Sequence, residues 1–217
     1  MAEKDWLLGD TPNPLGDRVE EIRNQLRRKD PERLAAFTGA IYTPLGAASG
    51  ELRLPYWSRE VLINFPDFTG KYTDTGEAIN SFDLTMLAYY FERSDGAPMR
   101  GEWIAFNQIP DGLFYAQAFQ GYSGNELAKA FGNDAEAFMD ANERLGGRRE
   151  FFGNLAYSYQ VLPRVPIMVV CWLGDEDFPA SYRILFDSNA YHHLVIDGYA
   201  ILGSNLTRRL IQLKNED

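Results

Sequence analysis

The sequence predicts an α+β fold, in which a largely antiparallel sheet packs against amphipathic helices. The sheet is expected to consist of an N-terminal hairpin and a C-terminal three-stranded meander. Two observations lead to this prediction. Strand-like segments follow one another directly instead of alternating with helices, which favours antiparallel pairing. Elsewhere, apolar residues recur at three- and four-residue steps, the spacing of a helix with one buried face.

The chain divides into a short tail and one domain. Residues 1–16 include Pro12 and Pro14 and are predicted to form an extended tail. Residues 17–217 are predicted to form a single α+β domain. Its first amphipathic helix is indicated by Leu15, Val19, Ile22 and Leu26, and a short second helix is expected at residues 32–37.

The next segment combines a hairpin with a helix. In "ELRLPYWSREVLINFPDF", two apolar runs flank Ser58-Arg59-Glu60, which predicts a β-hairpin. A helix is then expected to end near Ser94-Asp95-Gly96. One apolar face of it is formed by Ile79, Phe82, Met86, Leu87, Tyr90 and Phe91.

The middle of the chain has a less regular pattern. Residues 103–106 fit a short strand or a turn, and residues 113–119 fit a strand or a helix. Two short helices are expected after these segments, with Asn125 and Asp134 as their N-caps.

The last third of the chain predicts the meander and a closing helix. Residues 155–161 alternate in polarity, residues 167–173 are apolar on both faces, and residues 182–186 supply the third strand. The middle run is therefore expected to be a central strand, with Cys171 packed in the core. The closing helix is predicted to be capped by Asp197, and its stripe is formed by Tyr199, Leu202, Leu206, Leu210 and Leu213.

Composition excludes several functions. A net charge of −10 argues against a nucleic-acid partner and against anionic membranes, because such affinity depends on Lys and Arg. The longest apolar run is about half the roughly 20 residues of a spanning helix, and no signal peptide is evident at the start. A cytoplasmic location is therefore expected. The single cysteine excludes an iron–sulfur cluster.

An acidic turn gives the first candidate site. Within "VCWLGDEDFPASYRILFD", Asp175 and Asp177 lie between two predicted strands, and Asp187 ends the second strand about 17 Å away. Clustered carboxylates can bind a divalent metal ion. The alternative is a solvated turn ordered by Asx-type hydrogen bonds, with Phe178 and Pro179 folded back onto the core.

The only two histidines give the second candidate site. His192 and His193 follow Tyr191 and lie close after Asp187, so we assign these four residues to a candidate ligand site. Neighbouring histidines point in different directions, so one at most faces a given pocket. A neutral histidine can ligate a metal or a tetrapyrrole, and an aromatic share of 14% suits planar ligands. Structural roles for both histidines are the alternative.

Two stretches resemble the prokaryotic domain-of-unknown-function family 3786. They are "GDEDFPASYRILFDSNAYHHL", followed by a Leu-rich helix, and "GEWIAFNQIPDGLFYAQAF". The resemblance extends from about Asp17 onward and assigns no chemistry. Some members of that family carry an iron–sulfur module and occur alongside corrinoid-dependent metabolism. The resemblance therefore implies a role near corrinoid or tetrapyrrole proteins, although this chain lacks the cysteines for an iron–sulfur cluster.

Three function classes follow. No catalytic motif is evident, so the first is a binding or accessory domain that docks a protein partner or an aromatic-compatible ligand. The second is an enzyme or a protein that handles a metal, tetrapyrrole or corrinoid through carboxylates and the pair His192/His193. The third is a structural subunit of a homo-oligomer, since the oligomeric state stays open.

Overall fold

A computed structural model describes residues 14–216, which form two antiparallel sheets and seven α-helices. The α+β prediction is confirmed. The predicted tail, residues 1–16, lies outside the described part up to residue 13, and its last three residues already belong to the first helix.

The first sheet is a four-stranded meander, in which each strand pairs with the next along the chain. Its strands are β1 (Ile41–Pro44), β2 (Gly50–Tyr56), β3 (Arg59–Phe65) and β4 (Thr69–Tyr72). The central pair β2–β3 is the predicted hairpin, and it turns at Trp57 and Ser58. Burial alternates along β2, so one face of this sheet points into the core.

The second sheet contains the predicted meander at its centre. Its strands are β5 (Trp103–Ala105), β6 (Arg148–Glu150), β7 (Leu155–Leu162), β8 (Val165–Trp172) and β9 (Ser181–Asp187). The spatial order is β5-β9-β8-β7-β6, so β8 is the central strand, as predicted. Cys171 on this strand is fully buried, which confirms its packing role.

Within residues 14–216, two helices precede the first strand, four lie between strands, and one follows the last strand. They are α1 (Pro14–Leu26), α2 (Pro31–Thr38), α3 (Ser81–Arg93), α4 (Ala116–Tyr122), α5 (Gly124–Phe131), α6 (Ala135–Arg144) and α7 (Ile196–Asn215). Short 3-10 helices are formed by Phe106–Gln108, Gly112–Tyr115 and Ala190–His192. The ambiguous middle segment is thus a short strand followed by 3-10 and α-helical turns.

One cluster of buried apolar side chains joins both sheets to the helices. The sheets also meet through the backbone, because the Trp57 N–H group donates to the Val161 carbonyl at 2.7 Å. The opposite face of the second sheet carries a separate, small cluster made only of strand residues. Its members are Ala156, Met168, Val170 and Leu185, bordered by Trp103, Ala105 and Trp172.

Two of the three helix caps predicted after the middle segment are wrong. Asp134 accepts the Ala137 N–H group at 3.0 Å and caps α6 as expected. Asn125 instead lies inside α5, which starts one residue earlier, at Gly124. Asp197 lies in the first turn of α7, whose N-cap is Val195 without a side-chain hydrogen bond. In both cases the helix begins before the polar residue.

No helix within residues 14–216 is long and apolar enough to cross a lipid bilayer.

Candidate functional site

Asp187 ends β9 as a buried carboxylate that is only 2% exposed. It accepts hydrogen bonds from three backbone N–H groups. Those of Arg100 and Gly101 reach Oδ2 at 3.0 and 2.7 Å, and that of Asn189 reaches Oδ1 at 2.9 Å. All three donors belong to the main chain, so this carboxylate attaches the segment after α3 to the end of β9.

His193 is fully buried against the same segment. Its Nε2 lies 3.0 Å from the Ala97 carbonyl oxygen, which only accepts, so Nε2 carries the proton. Nδ1 then accepts from the Ser94 hydroxyl at 3.3 Å. Burial, with a smaller contribution from the positive charge of Arg164, lowers the pKa of His193 to about 4, so the ring is neutral near pH 7.

His192 points the other way and is partly exposed. Its Nδ1 lies 2.6 Å from Asp95 Oδ2, and its ring is 4.2 Å from that of Tyr191. Partial burial works against ionisation of Asp95, but hydrogen bonds from the Ala97 N–H group and from His192 outweigh it and lower the pKa of that carboxyl. The two histidines therefore face different environments, as their adjacency in sequence predicted.

We call these contacts the clasp, meaning residues 187–193 together with residues 94–101. A further hydrogen bond in it joins the Asn189 side-chain amide to the Pro98 carbonyl at 2.7 Å. Within the clasp, the side chains of Asp187 and His193 are buried and form hydrogen bonds to residues 94–101. Tyr191 and His192 lie at its surface.

The acidic turn lies at the other end of the β8–β9 hairpin. Trp172 pairs with Ser181 beside the turn, whereas Ile167 pairs with Phe186 next to Asp187. Asp175 Oδ1 accepts the N–H groups of residues 177 and 178, both at 2.9 Å, which is the expected Asx-type arrangement. These hydrogen bonds lower the pKa of Asp175.

One expectation for this turn is wrong. Phe178 does not fold back onto the core, because 72% of its surface is exposed. Among residues 14–216, no group of three or more His, Cys, Asp or Glu side chains is arranged to hold a metal ion. Asp175 and Asp177 as metal ligands stay a prediction.

A larger feature, which the sequence reasoning missed, surrounds the start of α7. Large apolar side chains lie exposed there, and Phe114 and Leu113 are 88% and 69% exposed. We call this patch the aromatic surface. Its residues are Leu113, Phe114, Tyr115, Tyr122 and Val195. The signal in the sequence was three consecutive large apolar residues after Pro-Asp-Gly, which fit neither a strand period nor a helix period.

The aromatic surface rests on a tightly packed base. A Cβ atom at Gly112 would lie 2.0 Å from the Phe106 carbonyl oxygen and 3.4 Å from Ile196 Cδ1, so only glycine fits there. Directly below, the rings of Phe106 and Phe119 stack with centroids 4.1 Å apart. The preceding residue, Asp111, has a left-handed φ of 65°. The exposed side chains are therefore presented by a fixed backbone.

The charges around the aromatic surface have one sign. Residues 101–128 contain three acidic residues and no lysine or arginine. Asp111 is exposed beside Leu113, and Asp197 lies close enough to Tyr122 that its charge, added to burial, raises the pKa of that hydroxyl. The apolar patch thus has an acidic border.

Comparison with known proteins supports the resemblance of the two motifs to a known family. Neither the search of curated proteins nor the search of solved structures finds a match. A family model matches residues 30–209, a range that includes both sheets, the clasp and the aromatic surface. The chain belongs to the family described as Domain of unknown function (DUF3786).

Proposed function

We propose that this domain docks a protein partner through the aromatic surface. The observation that carries the proposal is the run Leu113, Phe114 and Tyr115, in which three consecutive large side chains are exposed on a packed base. Single exposed apolar residues are ordinary on soluble proteins, whereas contiguous patches are typical of interaction sites.

The energetics favour such a role. Burial of one large apolar side chain contributes about 1.5–3 kcal/mol, so Leu113 and Phe114 together offer a substantial driving force. Because Gly112 and the stacked pair Phe106 and Phe119 restrain the backbone, little backbone conformational entropy remains to be lost on association. Rigid aromatic anchors of this kind dominate the binding energy at many interfaces.

The border of the surface indicates the chemistry of the partner. Asp111 and Asp197 are exposed at its edge, and residues 101–128 contain no basic residue. A complementary partner presents an apolar centre with Lys or Arg around it. Because the carboxylate of Asp187 and both ring nitrogens of His193 are engaged within the clasp, we propose binding without catalysis.

A photocrosslinking experiment tests this proposal. With p-benzoylphenylalanine in place of Phe114, we expect one discrete adduct in the organism that encodes the chain. The matched control places the same group at Ile41, which is 66% exposed on the edge strand β1, and is expected to give no adduct. The partner, identified by mass spectrometry and purified, is expected to bind the Leu113→Ser/Phe114→Ser variant at least about tenfold more weakly than the wild type. Equal affinity for both proteins would contradict the proposal.

One observation supports a second candidate function, the handling of a tetrapyrrole or corrinoid. Asp95 holds His192 through Nδ1, and Nε2 of His192 has no partner within residues 14–216. A carboxylate that orients a histidine in this way is a common support for a metal-ligating imidazole. Tyr191 adds an aromatic ring beside it.

This second function requires imidazole ligation by His192. Titration with hemin or hydroxocobalamin is then expected to shift the absorption band of the wild type, and His192→Ala is expected to abolish the shift. Asp95→Ala is expected to weaken binding at least about tenfold, as loss of such supports does. A shift that survives in His192→Ala would rule this function out for the clasp.

A further inference from the structure

A cleft in the described part of the chain lies away from both the clasp and the aromatic surface. It has a volume of about 390 Å³ and is formed where α1 and α2 meet the first sheet. This volume falls within the range of small-molecule sites, about 300–1,000 Å³. Its lining residues are Arg27, Arg28, Lys29, Asp30, Pro31, Tyr42, Ala47, Ala48, Phe65 and Pro66.

The cleft concentrates positive charge in a chain whose net charge is −10. Three consecutive cations, residues 27–29, line the cleft, and Asp30 is the one acidic residue among its lining residues. Asp30 Oδ1 accepts the Glu32 N–H group at 3.0 Å as the N-cap of α2. The local charge therefore favours an anion.

These cations differ in how far they are engaged. Lys29 Nζ reaches only a carbonyl of α3 at 3.4 Å, and the guanidinium of Arg28 has no hydrogen bond or ion pair within residues 14–216. Arg27 bonds to Asn24 at 2.8 Å and pairs with Glu20 at 3.6 Å, but its buried Nε has no acceptor. Donors without acceptors are costly when buried and adaptable when exposed, so this wall offers unused hydrogen-bonding capacity.

The opposite wall is aromatic and apolar. The Tyr42 ring lies close to the main chain of Gly50, where an added Cβ atom would be 2.4 Å from the ring. The rings of Tyr42 and Phe65 meet edge-on, with their centroids 6.5 Å apart. Ala47 and Ala48 are small, exposed residues of the loop that borders the cleft. This wall has the shape and chemistry to contact a planar ring.

We propose that this cleft binds a small planar molecule that carries an anionic group. Arg28 and Lys29 bind the anion, and the ring lies against Tyr42 beside the loop at Ala47 and Ala48. A phosphate monoester and a carboxylate share this chemistry, because a guanidinium binds both in a bidentate manner.

Isothermal titration calorimetry of the 217-residue chain with four probes tests the proposal. 4-Nitrophenyl phosphate and 4-nitrobenzoate carry both a ring and an anion, 4-nitrophenol lacks the full charge, and inorganic phosphate lacks the ring. We expect saturable one-site binding of at least one anionic ring probe, at least about tenfold tighter than 4-nitrophenol or inorganic phosphate. The ratio between the two anionic ring probes assigns phosphate or carboxylate.

Two variants locate this binding. Arg28→Gln is expected to weaken it at least about tenfold, since it removes the unengaged guanidinium. Ala48→Phe fills the cleft from an exposed loop and is expected to abolish binding while the fold is retained. Arg208→Gln, at an exposed arginine of α7, is the matched control and is expected to bind like the wild type. Absence of saturable binding by every probe, or unchanged binding in Arg28→Gln, would overturn the proposal.

Discussion

Replacing Asp187 by alanine is expected to lower the free energy of unfolding by about 3–5 kcal/mol. The carboxylate is buried and accepts the N–H groups of Arg100, Gly101 and Asn189. Its removal leaves these three N–H groups without the acceptor that joins the two segments, and it leaves a gap where the buried carboxylate was. Urea unfolding, followed by circular dichroism, measures the change.

Two further measurements separate this effect from a general loss of structure. Amide hydrogen exchange at Arg100 and Gly101 is expected to speed up more in Asp187→Ala than exchange at β8, since the clasp opens first. Asp177→Ala, at an exposed carboxylate of the acidic turn, is the control and is expected to change stability by less than about 0.5 kcal/mol. If Asp187→Ala were as stable as the wild type, the hydrogen bonds of this carboxylate would not contribute to the stability of the fold.

The long strands and helices were predictable because each buries a continuous face. β7, β8 and β9 are 7–8 residues long, and the apolar run of β8 on both faces indicated its central position. β1, β4, β5 and β6 have only 3–4 residues each, too few to show a period, and all four lie at sheet edges. The sequence prediction therefore found the centre of each sheet. At the edges it missed β1, β4 and β6, and it gave a strand at residues 103–106 as one of two alternatives.

The candidate site was predictable only in part. The prediction that His192 and His193 face different directions is confirmed, because it follows from adjacency in the chain. Their partners, Asp95 and Ser94, lie 97 and 99 residues away in sequence, and no local pattern reports such a contact. The aromatic surface was not predicted because it also depends on contacts between distant residues. Its exposure results from the close packing of Gly112 against α7 and against the 3-10 turn at Phe106.

Acidification is expected to destabilise the protein through His193. The ordinary pKa of histidine is about 6.5, and that of folded His193 is lowered to about 4. Between these values the unfolded chain binds a proton that the folded chain does not, so stability falls as the pH falls from about 6.5 to about 4. The stabilisation is complete above pH ~6.5, and about 3 kcal/mol is lost once the pH is below both values.

Thermal unfolding across this pH range isolates the contribution of His193. His193→Gln removes the titrating group, so its stability is expected to fall less steeply than that of the wild type between pH ~6.5 and pH ~4.5. Tyr191→Phe, at the exposed surface of the same segment, removes no histidine or carboxyl group, so it is the control and is expected to keep the wild-type slope. Parallel curves for the wild type and His193→Gln would contradict the burial of a neutral ring. A steeper slope for the wild type than for His193→Gln would show that protonation of the buried ring weakens the clasp, because Nδ1 accepts from the Ser94 hydroxyl only while the ring is neutral.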